Sequence, residues 1–271
     1  MNRLPPASPA RRHFMGIVAA GAGRLSTIAV SSALLAALPV KNADALGILP
    51  RGDPRRGGPN CFGRGTLILT AHGEVPVESL ANGALVMTTN GALPVKWVSR
   101  QTFRRNASAS WHPGVVPIRV ARFAIDDQTP QRDLYLSQEH CLLIDGVLIP
   151  VKHLVNGRSI AFDDNAKMSE TIEYFGVELD THEVIFAEGT AAESFRYTGG
   201  QIAWDNLADY QNLYGSEHKV MPAVAPIYRY NGGRAEVRGL LRLAASGFVD
   251  VRDPIQIAYE RIAARAMAIA A

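Results

Sequence analysis

Asn60-Cys61-Phe62-Gly63-Arg64-Gly65-Thr66 is the stretch at which this chain begins to fold. Before it runs Arg51-Gly52-Asp53-Pro54-Arg55-Arg56-Gly57-Gly58-Pro59, too rich in Gly and Pro for a regular element. Directly after it comes Thr66-Leu67-Ile68-Leu69-Thr70, a β-rich run. Cys61 therefore opens a domain, a position expected to have little core to fill. Its thiol lies within reach of the peptide bond just upstream. Attack of that sulfur on the Asn60 carbonyl would close a small ring and exchange an amide for a thioester.

Downstream, residues 61–200 read as short strands joined by turns. Asn90-Gly91 and Asp145-Gly146 are two-residue hairpin signals, because both central positions of such turns favour residues that tolerate positive φ. The expected strands are Leu85–Thr89, Leu93–Val98, Val116–Val120, Leu134–Leu136, Leu142–Ile144, Val147–Val151, Thr171–Val177 and His182–Phe186. Gly73 and Gly83 mark further turns. Helical periodicity is absent over this stretch, so the fold class is mainly β, an arrangement of short strands in a barrel or horseshoe.

Three places in this body carry candidate chemistry: Cys61, the Ser137-Gln138-Glu139-His140 turn, and His182 at the start of its strand. Taken singly, a histidine or a cysteine is more often structural than catalytic. Taken in order with their surroundings, they resemble the Hint (hedgehog/intein) domain in its bacterial stand-alone form. The blocks are Cys61-Phe62-x-x-Gly65-Thr66, Thr70-x-x-Gly73-x-x-x-Val77-Glu78-x-Leu80, Pro94-Val95-x-Trp97, Arg132-Asp133-Leu134-x-Leu136-Ser137-x-x-His140, Leu154-Val155-Asn156-Gly157, and Val177-Glu178-Leu179-Asp180-x-His182 through Glu193-Ser194-Phe195.

The resemblance implies that Cys61 is the nucleophile toward Asn60. It implies that His140 acts on the departing amide nitrogen, that Ser137 steadies the same peptide, and that His182 assists the shift or its resolution. Splicing in this family needs a closing His-Asn pair, and no His-Asn dipeptide occurs here. The corresponding end is Glu193-Ser194. Relatives also tend to carry Gly-Asp where this chain has Gly83-Ala84, and a second histidine near Gly176. What remains is cleavage at Asn60–Cys61, resolved by water, by an external nucleophile, or by the Asn60 side chain as a succinimide. The alternative is a catalytically idle Hint fold serving as a structural or interaction module. Oxidation of Cys61 and Cys141 to a disulfide would block the nucleophile; strand alternation argues against it by placing the two on opposite faces.

The first 45 residues read as an address. Arg11-Arg12 is followed by Phe14 and by an Ala-, Gly- and Ser-rich stretch, and Ala43-Asp44-Ala45 supplies a small-x-small cleavage site. The pattern resembles a twin-arginine (Tat) export signal, with a general secretory leader or an uncleaved anchor as alternatives. Export would place the domain in the periplasm or outside a bacterial cell, beyond a 46–60 linker. Without residues 1–45, the chain keeps 23 basic and 24 acidic residues, which gives no footing for nucleic acid or for a stable membrane association. The expected partner is the chain's own N-terminal segment, and no cofactor is implied. Asp163-Asp164 lacks the alternating acidic spacing of a calcium loop and reads as a solvated turn.

Beyond residue 200 lies an α-containing extension. Trp204–Tyr214 is aromatic-rich and expected to pack back on the β body. Asn231-Gly232-Gly233 reads as a turn and Val237–Ala245 as a short element. Asp253-Pro254 is a helix start, Asp as cap and Pro at the first position, for a docking helix over 255–271.

Overall fold

The computed structural model describes residues 60–105, 110–198, 204–228 and 253–270. The leader at 1–45, the linker before Asn60, Asn231-Gly232-Gly233 and Val237–Ala245 lie outside the described residues. The body is two antiparallel sheets. One runs, in spatial order, β11 (Ile160–Phe162), β7 (Ile118–Val120), β8 (Leu134–Leu136), β1 (Phe62–Gly63), β12 (Thr171–Glu178) and β6 (Trp97–Arg104). The other runs β10 (Val147–Pro150), β9 (Cys141–Ile144), β14 (Thr190–Glu193), β13 (Val184–Ala187), β2 (Leu67–Thr70), β4 (Leu85–Thr88) and β5 (Gly91–Pro94), with β3 (Gly73–Pro76) paired to β2. The main core lies between them: Phe62, Ile118, Leu136 and Val177 from the first sheet meet Ile68, Val86, Leu142 and Ile185 from the second.

The chain crosses between the sheets repeatedly, and one crossing breaks an expected strand. Leu93–Val98, expected as one strand, is two. The Val95 N–H donates to the Ala84 carbonyl, the next residue's N–H to the Glu178 carbonyl, so the backbone changes sheets at Val95-Lys96. Likewise β1 passes to β2, β8 to β9 across Ser137–His140, and β12 to β13 across Leu179–Glu183. His182 therefore does not open a strand. It lies in a crossing, and β13 begins at Val184.

Asp145-Gly146 forms the expected hairpin, with φ of 51° and 81° at its two central residues. Glu188-Gly189 does the same at φ 49° and 76°. At Asn90-Gly91 the turn is displaced by one residue: Thr88 pairs with Gly91, leaving Thr89-Asn90 at the centre. The Thr88 hydroxyl accepts the Asn90 N–H and donates to the Gly91 carbonyl, which favours that register. Asp163 is a buried helix cap rather than a solvated turn. Its carboxylate accepts the N–H groups of Asn165 and Ala166 at the start of α1 (Asp164–Met168).

The extension packs as expected where it is described. In α2 (Leu207–Tyr214), Tyr210 is buried against Trp97, ring centroids 5.0 Å apart, and Trp204 meets Trp97 and Phe195 edge-on. α3 (Pro254–Ala270) starts at the Asp253 carboxylate, which accepts the Ile255 N–H. Ile255, Ala258 and Ile262 enter the main core, while Arg265 reaches the Phe123 carbonyl at 2.6 Å and Asp127 at 2.7 Å.

Candidate active site at the sheet crossings

The residues singled out in the sequence sit where the chain changes sheets. Cys61 immediately precedes β1, whose Phe62 is paired to Leu136 on one side and to Phe175 on the other. The neighbouring β8 ends at Leu136, and the turn beyond it brings Ser137 against Cys61. The Cys61 N–H donates to Ser137 Oγ at 3.0 Å, and the Ser137 N–H donates to the Cys61 carbonyl at 2.9 Å. The His140 N–H closes the turn on the Ser137 carbonyl at 3.0 Å, and the imidazole packs edge-on against Phe62 with centroids 4.3 Å apart. Asn60, also buried, has φ 56°, the left-handed region that asparagine tolerates better than most residues.

Cys61 is not idle in packing terms. It is fully buried in a cluster with Trp97, Val115, Tyr174 and Phe195, where little core was expected. These partners come from distant parts of the chain, so Cys61 is enclosed by segments far from it in sequence. Burial pushes the Cys61 thiol far above the ordinary thiol range, so the resting group is the protonated thiol. Burial also raises the Tyr174 hydroxyl, to which proximity of Cys61 adds; that hydroxyl donates to the Val115 carbonyl at 2.7 Å.

Cys141 is also buried, placed in a separate apolar cluster with Leu69, Leu148 and Phe186. The two cysteines are not joined in a disulfide.

His140 and His182 converge on a residue that sequence reasoning did not single out as a site residue, Glu193 at the end of β14. His140 Nε2 lies 3.0 Å from the Glu193 main-chain carbonyl. The Glu193 carboxylate accepts the Cys141 N–H at 2.7 Å through Oε1, and Oε2 lies 3.1 Å from His182 Nε2. The Val224 N–H, from the extension, donates to His182 Nδ1 at 3.1 Å. Both ring nitrogens of His182 are thus engaged, which makes it a support for Glu193.

The electrostatics follow from this enclosure. Burial lowers the His140 pKa below its ordinary value, with nearby His182 adding; the Glu193 charge and the backbones of Cys61 and Glu193 oppose the shift. Burial acts to raise Glu193, but its bond from His182, the proximity of His140 and its contact with Cys141 outweigh it, and the net shift is downward. The site at rest is therefore a neutral thiol, a neutral His140 and a buried carboxylate.

At Gly176 an added Cβ would lie 2.5 Å from Ser99 Oγ, which itself accepts the Gly176 N–H, so any side chain there would have to displace that hydroxyl. A cleft of about 460 Å³ is lined by Trp111, Val116, Gln138 and Phe162 with Arg105 and Lys167. Among the described residues, no group of three or more His, Cys, Asp or Glu is placed to hold a metal ion, and no helix is long and apolar enough to cross a membrane.

Comparison with known proteins gives one family. The family model described as Hint domain matches residues 60–199. Among solved structures, the gp41-1 intein is 12% identical, covering 49% of this chain and 96% of that one with a TM-score of 0.33. The MchDnaB-1 intein is 14% identical over 49% of this chain and 99% of that one, TM-score 0.35. A bacterial intein-like domain from Clostridium thermocellum is 12% identical over 51% and 100%, TM-score 0.35. No curated protein sequence matches the chain.

Proposed function

This chain belongs to the Hint domain family, and from that premise we propose that it cleaves its own backbone at Asn60–Cys61. Sulfur of Cys61 bonds to the Asn60 carbonyl carbon, the carbon–nitrogen bond breaks, and the thiol proton ends on the freed Cys61 amine. The product is a thioester. Water or an external thiol then displaces Cys61 and releases the segment ending at Asn60. The substrate is the chain's own N-terminal segment.

The observation that supports this most is the hydrogen bond from the Cys61 N–H to Ser137 Oγ, made by the nitrogen that must leave. It fixes the peptide plane in a turn that also supplies His140. The left-handed φ of Asn60 puts backbone strain on the same junction. Splicing is not part of the proposal, since Glu193-Ser194 stands where a His-Asn pair would be needed. Export through the Arg11-Arg12 leader, to the periplasm or the cell exterior, is proposed on the signal-like composition of residues 1–45.

One observation favours a second reading. The Cys61 thiol is buried and strongly disfavoured as thiolate. A Hint fold retained as an interaction module would have no need of a reactive sulfur. The two readings separate on one experiment. The full chain is made in a cell-free reaction with an N-terminal tag, and intact masses are followed with and without added thiol. Loss of a tag-plus-leader fragment ending at Asn60 in wild type, absent in Cys61→Ala and slowed in His140→Ala, supports cleavage. A wild-type chain intact across pH and thiol concentration supports the module. A released fragment lighter by one water than the free acid would identify Asn60 as its own resolving group.

A further inference from the structure

Cleavage as proposed uses Cys61, Ser137 and His140, and leaves unexplained why the fully buried Glu193 meets one imidazole through its carboxylate and another through its main-chain carbonyl. We propose that Glu193 is the positioning residue of the acyl shift: its main-chain carbonyl holds His140 in the tautomer that can take the thiol proton, and its carboxylate stabilises the imidazolium that results. This rests on the cleavage reading and deepens it.

The tautomer follows from hydrogen-bond roles. A carbonyl oxygen only accepts, so His140 Nε2, 3.0 Å from the Glu193 carbonyl, carries the ring proton. Nδ1 then holds a lone pair; it is buried without a hydrogen bond of ordinary geometry, in a ring that lies against the Cys61 backbone. The His182 ring is fixed in the same way. The Val224 N–H must donate to Nδ1, so Nε2–H donates to Glu193 Oε2. Both donors to the carboxylate, the Cys141 N–H and the His182 Nε2–H, are neutral. A buried anion without a full cationic partner is costly, and a cation forming beside it recovers that cost.

The proton balance is closed within the site. His140 Nδ1 takes the proton of Cys61 Sγ as the carbon–sulfur bond forms, and returns it to the Cys61 nitrogen as the carbon–nitrogen bond breaks. No external acid or base is needed. The groups facing His140 are Glu193 on β14, His182 in the crossing before β13, the Cys61 backbone and the Phe62 ring. Those facing Glu193 are His140, His182 and Cys141.

The test uses the full tagged chain. In Glu193→Gln the maximal cleavage rate should fall about tenfold, equivalent to one pKa unit of lost imidazolium stabilisation. The rising limb of the pH profile should move to lower pH, because a neutral side chain no longer holds the proton on His140. Glu193→Asp keeps the charge and should keep the limb in place. An unchanged maximal rate overturns the proposal, as does a fall with the limb unmoved. A second measurement needs no cleavage: ¹⁵N-histidine NMR of the full Cys61→Ala chain. His140 should appear as the Nε2–H tautomer, and adding Glu193→Gln should lower its pKa. An Nδ1–H tautomer overturns the proposal even where Glu193→Gln does not fold. A wild-type chain that never cleaves, with the NMR as expected, sinks the cleavage reading and leaves the placement of Glu193 standing.

Discussion

Cys61 and Ser137 hold each other at two points: the Cys61 N–H reaches Ser137 Oγ at 3.0 Å, and the Ser137 N–H reaches the Cys61 carbonyl at 2.9 Å. Both residues are buried, so neither bond can be replaced by water. Only the first depends on the side chain. Ser137→Ala should leave the Cys61 N–H unsatisfied and cost about 1–3 kcal/mol of stability. Ser137→Thr keeps the hydroxyl and should retain both stability and any cleavage. Urea unfolding of the two variants checks this, and equal midpoints for wild type and Ser137→Ala would refute it.

The lowered pKa of His140 has a definite consequence for stability. Its folded value lies below the ordinary 6.5, so between the two values the unfolded chain binds more protons than the folded one. Stability contributed by neutral His140 is present above about pH 6.5 and lost as pH falls from there toward the folded pKa. Urea midpoints measured from pH 5 to 8 should decline on the acid side for wild type. His140→Gln should flatten that decline. Parallel curves would mean that another group titrates there.

Two buried thiols predict a chemical silence. With only Cys61 and Cys141 in the chain, neither should react with an aromatic disulfide reagent in the native protein at pH 8. Both should react once the chain is unfolded. One equivalent released quickly under native conditions, assigned to Cys61 by its loss in Cys61→Ala, would contradict the enclosure of the sulfur by Trp97, Tyr174 and Phe195.

The helix at the end of the chain is part of the core rather than an appendage. Ile262 is fully buried in the cluster that joins the two sheets. Ile262→Ala should therefore cost about 2–5 kcal/mol, within the range of large-to-small core substitutions. Tyr259→Ala, on a more exposed position of the same helix, should cost far less. Similar losses at both would argue that the helix is held by its surface. Both are read from thermal or urea unfolding.

Much of the architecture was legible because it is set by near neighbours. Asp145-Gly146 demands positive φ at two successive residues, and few dipeptides supply it, so that hairpin could be placed from two letters. Asp253-Pro254 likewise specifies a helix start through one carboxylate and one fixed φ. The order of short blocks from Cys61 to Ser194 was enough to bring the family into view, and with it Ser137, His140 and His182. Local signals failed where a contact outweighed them. At Asn90-Gly91 the Thr88 hydroxyl favours a register one residue earlier, and at Val95-Lys96 the chain leaves one sheet for the other.

What the amino-acid order by itself determined is a mainly β chain, with a cysteine just ahead of a strand and a capped helix starting at Asp253-Pro254. The tertiary structure alone decided the state of that cysteine and the partners of its histidine. Trp97, Tyr174 and Phe195 surround Cys61 because β6, β12 and the segment after β14 meet there, and that burial keeps the sulfur protonated. Glu193 follows two alanines in a strand whose residues are all buried, so alternation along the strand carried no clue to where its carboxylate points. It meets His182 and the backbone of Cys141 because separate sheet crossings bring them to the end of β14, and proximity of that kind arises from how strands are paired, not from how residues are spaced.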